Sequence, residues 1–182
     1  MEKKPTIIAE VKTLSPFGFR SPKSWDELFV IAEKYGDIIS IHTDVRWGGS
    51  FDLITKARKL TKKPILAKGI HKKDSDIEKA IENGANFVLV VGRIPKIHVE
   101  KCIIEPYTLK ELSKIPKTFK ALWNSRDLKT GGRKKETFSK AREFFSGWLC
   151  QASHIKTIDD IHPRADAVLI GEHLEEFAES LP

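Results

Sequence analysis

Residues Pro64–Val91 read PILAKGIHKKDSDIEKAIENGANFVLVV, and this stretch decides the fold. It opens and closes with short apolar runs, Pro64–Lys68 and Phe87–Val91, which have the length and content of buried strands. Between them, Asp74–Asn83 has helical periodicity, and Gly84 follows it as a helix-ending residue. Near-continuous apolar strands on either side of a helix are typical of a parallel sheet whose outer face is covered.

The same alternation extends along the whole chain. Strand-like runs occur at Thr6–Lys12, Ile38–His42, Pro64–Lys68, Phe87–Val91, Cys102–Glu105, Phe119–Trp123, Gly147–Gln151 and Ala167–Ile170. Helical patterns occur at Ser24–Tyr35, Phe51–Leu60, Asp74–Asn83, Lys134–Phe145 and Glu172–Ser180. Eight strands that alternate with helices predict an α/β fold in which residues 1–182 form a single (β/α)8 TIM barrel domain.

The chain is short for such a barrel, because the fold typically takes about 250 residues and this chain has 182. Only Gly92–Lys101, which includes Pro95, separates the fourth strand from the fifth. A parallel crossover usually needs about a dozen or more residues, so we predict that the fourth helix is lost. The segments after Pro106 and His154 have room for at most about two helical turns each. The predicted barrel is therefore trimmed.

The composition predicts a soluble protein with an anionic ligand. The net charge is +7, from 32 basic and 25 acidic residues, and a positive field favours anionic partners. Phosphate-bearing substrates and nucleic acid would both fit this charge, and a solvated surface is the alternative explanation. The basic residues are scattered, without a basic arm or an aromatic-basic stripe, so we expect a small phosphorylated substrate rather than nucleic acid. Neither a membrane-spanning stretch nor a signal peptide is visible, which predicts a cytoplasmic protein with no membrane partner. A barrel without some outer helices exposes apolar surface, so we expect a monomer or a weak homo-oligomer.

Cysteine and histidine residues do not indicate a metal site. Cys102 and Cys150 are interpreted as apolar strand residues, and the six histidines lack metal-ligand spacing and are expected in solvent or loops. The segment Gly48–Ser50 is too short for a Walker-type phosphate loop and is interpreted as the start of the second helix. The four tryptophans are expected to be packing residues.

Charged and polar residues stand at the ends of several predicted strands, where parallel barrels form their active sites. Glu10 and Lys12 lie on one face of the first strand, the third strand ends at Lys68 and the fifth ends at Glu105. Each of these residues alone is compatible with a strand that reaches water. As a set, they are expected to converge on one rim of the barrel, where proximity and burial shift pKa values toward acid–base chemistry. Asn124 follows the sixth strand at the same rim.

Three loops have residues that suit a phosphate group. Ser15 follows the first strand, Ser153 the seventh and Gly171 the eighth. Hydroxyl and backbone N–H groups at these positions, especially after the last two strands, often bind phosphate in such barrels. A plain turn is the alternative at each position.

Several motifs resemble the indole-3-glycerol phosphate synthase family. Ile8–Lys12 with Ser15 and Pro16 is similar to the family's opening strand, I-A-E-x-K-x-x-S-P. Asn124–Thr130 is similar to its N-x-R-D-L-x-T motif. Further resemblances, in order along nearly the whole chain, are in Ile39–Asp44 with Gly48–Ser50, in Pro64–Lys68 and in Asp166–Glu172.

The resemblance implies a cofactor-free carboxy-lyase of tryptophan biosynthesis. Its reaction is the decarboxylating ring closure of 1-(2-carboxyphenylamino)-1-deoxyribulose 5-phosphate to indole-3-glycerol phosphate. It implies Lys68 as general acid and Glu105 as general base, with Lys12 assisting proton transfer and Glu10 orienting the lysines. The implied substrate-binding residues are Asn124, Arg126, Ser15, Ser153, Gly171 and the backbone of Glu172, and no metal is implied.

Three departures from the family predict weaker substrate binding. The family's N-terminal extension, with a helix over the site, does not precede the first strand, so we expect a shortened member. Gly69-Ile70 stands where Asp-Phe is usual, so fewer aromatic side chains would contact the anthranilate ring of the substrate. His154 stands where the family has glycine, and glycine allows the closest backbone approach to an anion. Two alternatives remain: an isomerase or lyase that acts on a related phosphosugar, and a noncatalytic barrel that binds an anionic partner.

Overall fold

The computed structural model describes residues 4–182 of the chain. The strands are β1 Thr6–Val11, β2 Ile38–His42, β3 Ile65–Lys68, β4 Phe87–Val91, β5 Cys102–Glu105, β6 Lys120–Asn124, β7 Leu149–Ala152 and β8 Ala167–Ile170. The α-helices are α1 Trp25–Tyr35, α2 Phe51–Leu60, α3 Asp74–Glu82, α4 Leu109–Leu112, α5 Phe138–Phe144 and α6 Leu174–Glu179.

The strands form one closed parallel barrel in sequence order. The first strand closes it by pairing on both sides: Ile8 is in register with Ile38 of β2 and with Leu169 of β8. Closure leaves no unpaired sheet edge. The predicted (β/α)8 barrel is confirmed.

Two apolar layers explain why the strands read as continuous hydrophobic runs. Side chains alternate between the two faces of a strand, and both faces are buried here. The inward layer fills the barrel and includes Ile8, Leu66, Leu89, Ile103, Leu122 and Leu169. The outward layer packs against the helices and includes Ile39, Ile41, Ile65, Val88, Val90 and Ile104.

Most helix starts follow from local capping residues. Ser24 and Glu27 form a capping box at α1, and the Ser50 side chain caps α2, as predicted for Gly48–Ser50. The fifth helix was predicted to begin at Lys134, and this is wrong. It begins after Thr137, which caps it, because the backbone N–H of Lys134 donates to Ser125 and keeps the preceding residues in the loop.

The outer layer is reduced in the second half of the barrel. Between β4 and β5 the described chain has no α-helix and only a 3₁₀ turn, Val99–Lys101, which confirms the predicted loss of the fourth helix. The next helix along the chain, α4, follows β5 and has one turn. A 3₁₀ turn at Ile158–Asp160 follows β7. The last helix begins at Leu174 and not at Glu172, because Gly171 and Glu172 belong to the turn after β8.

Within residues 4–182, no helix is both long enough and apolar enough to cross a membrane. Cys102 on β5 and Cys150 on β7 are buried free thiols, as expected for apolar strand residues.

Candidate active site

Two adjoining clefts occupy the barrel mouth at the carboxyl ends of the strands. The first has a volume of about 420 Å³ and the second about 340 Å³. They form one continuous depression, because both are lined by Lys12, Lys68, Arg126 and Ser153. The first cleft also has an apolar lining of Trp47, Ile70, Leu89, Val91 and Leu128.

A buried carboxylate, Glu10, lies at the base of this depression with 1% of its surface exposed. The Lys68 ammonium donates to both of its oxygens, at 3.1 and 3.0 Å. On the neighbouring strand, Nε2 of His42 lies 3.3 Å from Oε1 of Glu10. The backbone of Gly171 approaches from the other side, since a Cβ there would lie 2.2 Å from Oε2. A side chain at position 171 would therefore have to displace the Glu10 carboxylate.

The lysines determine the charge state of Glu10. Burial alone would raise the pKa of Glu10, but the charges of Lys68 and Lys12 lower it to about 2. Burial in turn lowers the pKa of Lys12, although its attraction to Glu10 and Glu172 opposes that shift. Glu10 is consequently an anion at neutral pH, held between two basic groups.

A second buried carboxylate, Glu105, belongs to a hydrogen-bonded group on β5, β6 and the loop after β7. Asn124 Nδ2 donates to Glu105 at 2.8 Å. The side-chain oxygen of Asn124, Oδ1, accepts from Ser153 Oγ at 2.6 Å and from the Arg126 backbone N–H at 2.9 Å. Burial raises the pKa of Glu105, against the attraction of Lys68 and the Asn124 hydrogen bond. A raised pKa brings a carboxyl group closer to the range in which it can take up and release a proton in catalysis.

The Glu172 side chain joins two basic residues in the second cleft. Its Oε1 lies 3.1 Å from Lys12 Nζ, and its Oε2 lies 2.8 Å from Arg126 Nη2. Partial burial would raise the pKa of Glu172, but Lys12 and Arg126 lower it below its ordinary value. The family resemblance implied that the backbone of Glu172 binds the substrate. The ion pairs of its side chain were not predicted.

The predicted phosphate-binding loops are only partly assembled. Ser153 and Gly171 line the second cleft. Ser153 and His154 both adopt left-handed backbone conformations, with φ of 69° and 57°. The glycine-favouring geometry is therefore kept at His154 by a residue with a side chain. Ser15 lies outside the linings of both clefts, and its hydroxyl accepts from the Phe17 N–H within its own loop.

Two histidines are buried: His42 was expected in solvent or a loop but lies on β2, so the prediction was wrong for it, whereas His71 lies in the loop between β3 and α3, as the prediction allowed. His42 and His71 are each 5% exposed. His42 lines the first cleft and stacks on Trp47, with ring centroids 5.2 Å apart. The signal was present in the sequence, because His42 is the inward-facing last residue of a strand. His71 lies between Thr43 Oγ1, at 2.9 Å, and the Leu89 carbonyl, at 2.5 Å.

Among the described residues, no group of three or more His, Cys, Asp and Glu side chains could hold a metal ion. The acid–base groups of the depression are amino, carboxyl and imidazole groups. Lys12, Lys68, Glu105 and Asn124, which are remote in sequence, line a single cleft.

Comparison with known proteins gives a partial match in sequence. No protein-family model matches the chain. The chain is 35% identical over 93 residues to the indole-3-glycerol phosphate synthase of Sulfurisphaera tokodaii, and 38% identical over 98 residues to that of Pyrococcus furiosus. These segments cover 50% and 52% of this chain but only 38% and 43% of those proteins. The chain thus matches well under two thirds of the length of these curated relatives.

Comparison with solved structures agrees with the barrel. The crystal structure of a 3-hexulose-6-phosphate synthase superimposes with a TM-score of 0.69, covering 97% of this chain and 100% of that chain. Sequence identity to it is 15%, so this likeness concerns the fold alone. The chain is therefore a closed (β/α)8 barrel that is similar, over half its length, to indole-3-glycerol phosphate synthases.

Proposed function

We propose that the protein is an indole-3-glycerol phosphate synthase, which closes the indole ring of 1-(2-carboxyphenylamino)-1-deoxyribulose 5-phosphate with loss of carbon dioxide and water. The observation that carries this proposal is the convergence of three residues on a single cleft: Lys12, which directly follows β1, Lys68 on β3 and Glu105 on β5. The partial similarity to synthases of this name supports the choice of reaction.

Ring closure forms a bond between the aromatic ring and the sugar C2 carbonyl carbon, and the carbonyl oxygen needs a proton as this bond forms. Lys68 is the proposed donor, because its ammonium lines the cleft and Glu10 fixes its position at 3.0 Å. Breaking the bond to the carboxyl group then releases carbon dioxide and restores the electron pair to the ring.

Dehydration completes the reaction: the new hydroxyl receives a second proton, the C–O bond breaks so that it leaves as water, and a proton is removed from the neighbouring carbon of the new ring. Glu105 is the proposed base, since the Asn124 hydrogen bond keeps it in the cleft and burial raises its pKa. Lys12 is proposed to assist this transfer. The apolar residues Trp47, Ile70 and Leu128 provide a surface for the aromatic ring.

The test is to incubate the protein with the carboxyphenylamino substrate and to follow indole fluorescence. We expect product from the wild-type protein, and at least about a 100-fold loss of kcat in Lys68→Met. Lys59→Met, on the exposed surface of α2, is the matched control and keeps full activity. Circular dichroism establishes that both variants are folded. No product at high concentrations of wild-type protein would overturn the proposal.

One observation favours a second candidate, an isomerase or lyase that acts on a phosphosugar without an aromatic ring. Position 70 contributes an aliphatic side chain to the cleft, and a Cβ at Gly69 would lie 2.3 Å from Thr43 Oγ1. A side chain at position 69 would therefore have to displace the Thr43 hydroxyl, and position 70 does not have the aromatic ring that is usual in the family. Turnover of pentose or hexulose phosphates, with none of the carboxyphenylamino substrate, would replace the first proposal by this one.

A further inference from the structure

In the second cleft, the carboxylate of Glu172 is paired with the two basic side chains that would otherwise be free to bind an anion. Glu172 forms ion pairs with Lys12, at 3.1 Å, and with Arg126, at 2.8 Å. All three side chains are mostly buried, with exposed fractions of 15%, 8% and 16%, so water screens these contacts little. The two cations that an incoming anion would meet are already paired.

The backbone fixes where this carboxylate can go. Glu172 follows Gly171, whose backbone is packed against the Glu10 carboxylate. The next turn begins α6, with the Leu174 N–H donating to the Gly171 carbonyl. The carboxylate is therefore tethered beside its two cations, and a tethered group competes at a high effective concentration.

We propose that Glu172 is a specificity-determining residue, a tethered anion that a ligand's anionic group must displace from Lys12 and Arg126. The inference rests on the proposed function in one respect, that the ligand carries a phosphate group. Phosphate has more negative charge and more acceptor oxygens than a carboxylate, so it can displace Glu172 from both cations. A ligand with only a carboxylate gains little over the group it replaces. Glu172 therefore selects phosphorylated ligands over carboxylated ones.

The test is a calorimetric titration of inorganic phosphate into the wild-type protein and Glu172→Gln, which removes the charge and keeps the size. We expect Glu172→Gln to bind phosphate at least about tenfold more tightly, because the two cations are no longer neutralised. Acetate, as the carboxylate probe, is expected to bind measurably only to the variant. Equal or weaker phosphate binding by Glu172→Gln would overturn the inference.

The matched control is Glu175→Gln, which removes the same charge three positions along the chain. Glu175 pairs with Lys23 at 3.2 Å, and both side chains are more than a third exposed. Its loss is expected to change phosphate affinity by less than about twofold, because solvent screens the removed charge. If Glu175→Gln tightened binding as much as Glu172→Gln, net charge would explain the effect and the inference would fail.

A fold control uses the same contacts. Glu172→Gln leaves Lys12 and Arg126 close together without their counter-ion, so we expect a lower Tm that phosphate restores. If this variant does not fold, Glu172→Asp takes its place, because the shorter side chain cannot reach both cations. Phosphate is then expected to bind about threefold more tightly, and unchanged affinity would contradict the inference.

Phosphate titration needs no turnover, so the two proposals fail separately. Tighter phosphate binding by Glu172→Gln, with no indole product from the wild-type protein, would keep this inference and overturn the synthase proposal. Indole product from the wild-type protein, with no tightening in the variant, would do the reverse.

Discussion

Glu10 and Glu105 are the same residue type, both inside the barrel mouth, with exposed fractions of 1% and 2%. Burial alone would raise the pKa of both carboxyl groups. The pKa of Glu105 is indeed raised, whereas the pKa of Glu10 falls to about 2. The position within the barrel, and not the depth of burial, separates them.

The difference lies in what each carboxylate contacts. Glu10 accepts two hydrogen bonds from the Lys68 ammonium, and the charge of Lys12, which directly follows β1, also lowers its pKa. Glu105 accepts a hydrogen bond from the neutral Asn124 amide. A charged partner stabilises the ionised carboxylate far more than an amide does. One barrel mouth thus contains a permanent anion, suited to hold lysines, and a carboxyl group that can exchange protons.

Substituting each glutamate by glutamine tests this contrast most strongly. In Glu10→Gln, Lys68 loses its buried counter-ion, so we expect the free energy of unfolding to fall by about 3–5 kcal/mol. Glu105→Gln removes a group that burial already disfavours as an anion, and the expected change is below about 1 kcal/mol. Urea unfolding at pH 7 measures both. Similar losses in the two variants would show that burial alone governs both sites.

Glu105→Gln is instead expected to affect catalysis. If the synthase proposal holds, kcat falls about 100-fold or more in this variant, because glutamine cannot take a proton.

The dependence of the free energy of unfolding on pH, between neutral and acid pH, is a further test of this contrast. The pKa of Glu10 is about 2 in the folded protein against an ordinary value of 4.5. Its contribution is therefore present above about pH 4.5 and is lost as the pH falls toward 2, a change of about 3 kcal/mol. Glu105 contributes in the opposite direction, because its raised pKa means that the folded state holds the proton more tightly.

Urea unfolding of the wild-type protein and of Glu10→Gln between pH 2 and pH 7 measures this pH dependence. The difference between wild type and Glu10→Gln is expected to shrink across the acid range. A constant difference would mean that Glu10 does not titrate as its contacts indicate.

The first half of the barrel was more predictable from sequence than the second. In α1, α2 and α3 the hydrophobic period and the caps agree, and the predicted bounds lie close to the observed ones. The residues just before α5 and α6 are held by contacts outside those helices, as Lys134 is with Ser125 and Glu172 with Lys12. Local sequence does not contain those contacts, so the predicted helices began too early.

The candidate site shows the same division. Strand-end residues such as Lys68 and Glu105 were predictable to lie together, because parallel strands end at one rim. The contacts of the Glu172 side chain were not predictable, because its partners Lys12 and Arg126 lie in the loops after β1 and β6. Ser15 belongs to the motif that resembles the family's opening strand, but it lies outside the cleft linings. Its hydroxyl accepts a hydrogen bond from the Phe17 N–H within its own turn.

His42 is the remaining strand-end residue near Glu10, and its substitution is expected to have the smallest effect. Burial lowers the pKa of His42 to about 3, so the imidazole is neutral and has a single N–H. Among residues 4–182, Nδ1 has no hydrogen-bond partner, whereas Nε2 lies 3.3 Å from Glu10. The proton therefore belongs on Nε2, where it faces the carboxylate and helps to fix the group that positions Lys68.

His42→Leu removes this donor at similar volume, and His42→Gln keeps an N–H at a similar reach. In the synthase assay we expect kcat to fall about tenfold in the leucine variant and less than about threefold in the glutamine variant. Nitrogen-15 NMR of the wild-type imidazole reports the tautomer without any turnover. A proton found on Nδ1, or equal kcat in the two variants, would show that His42 only packs against Trp47, leaving Glu10 to be held by Lys68 alone.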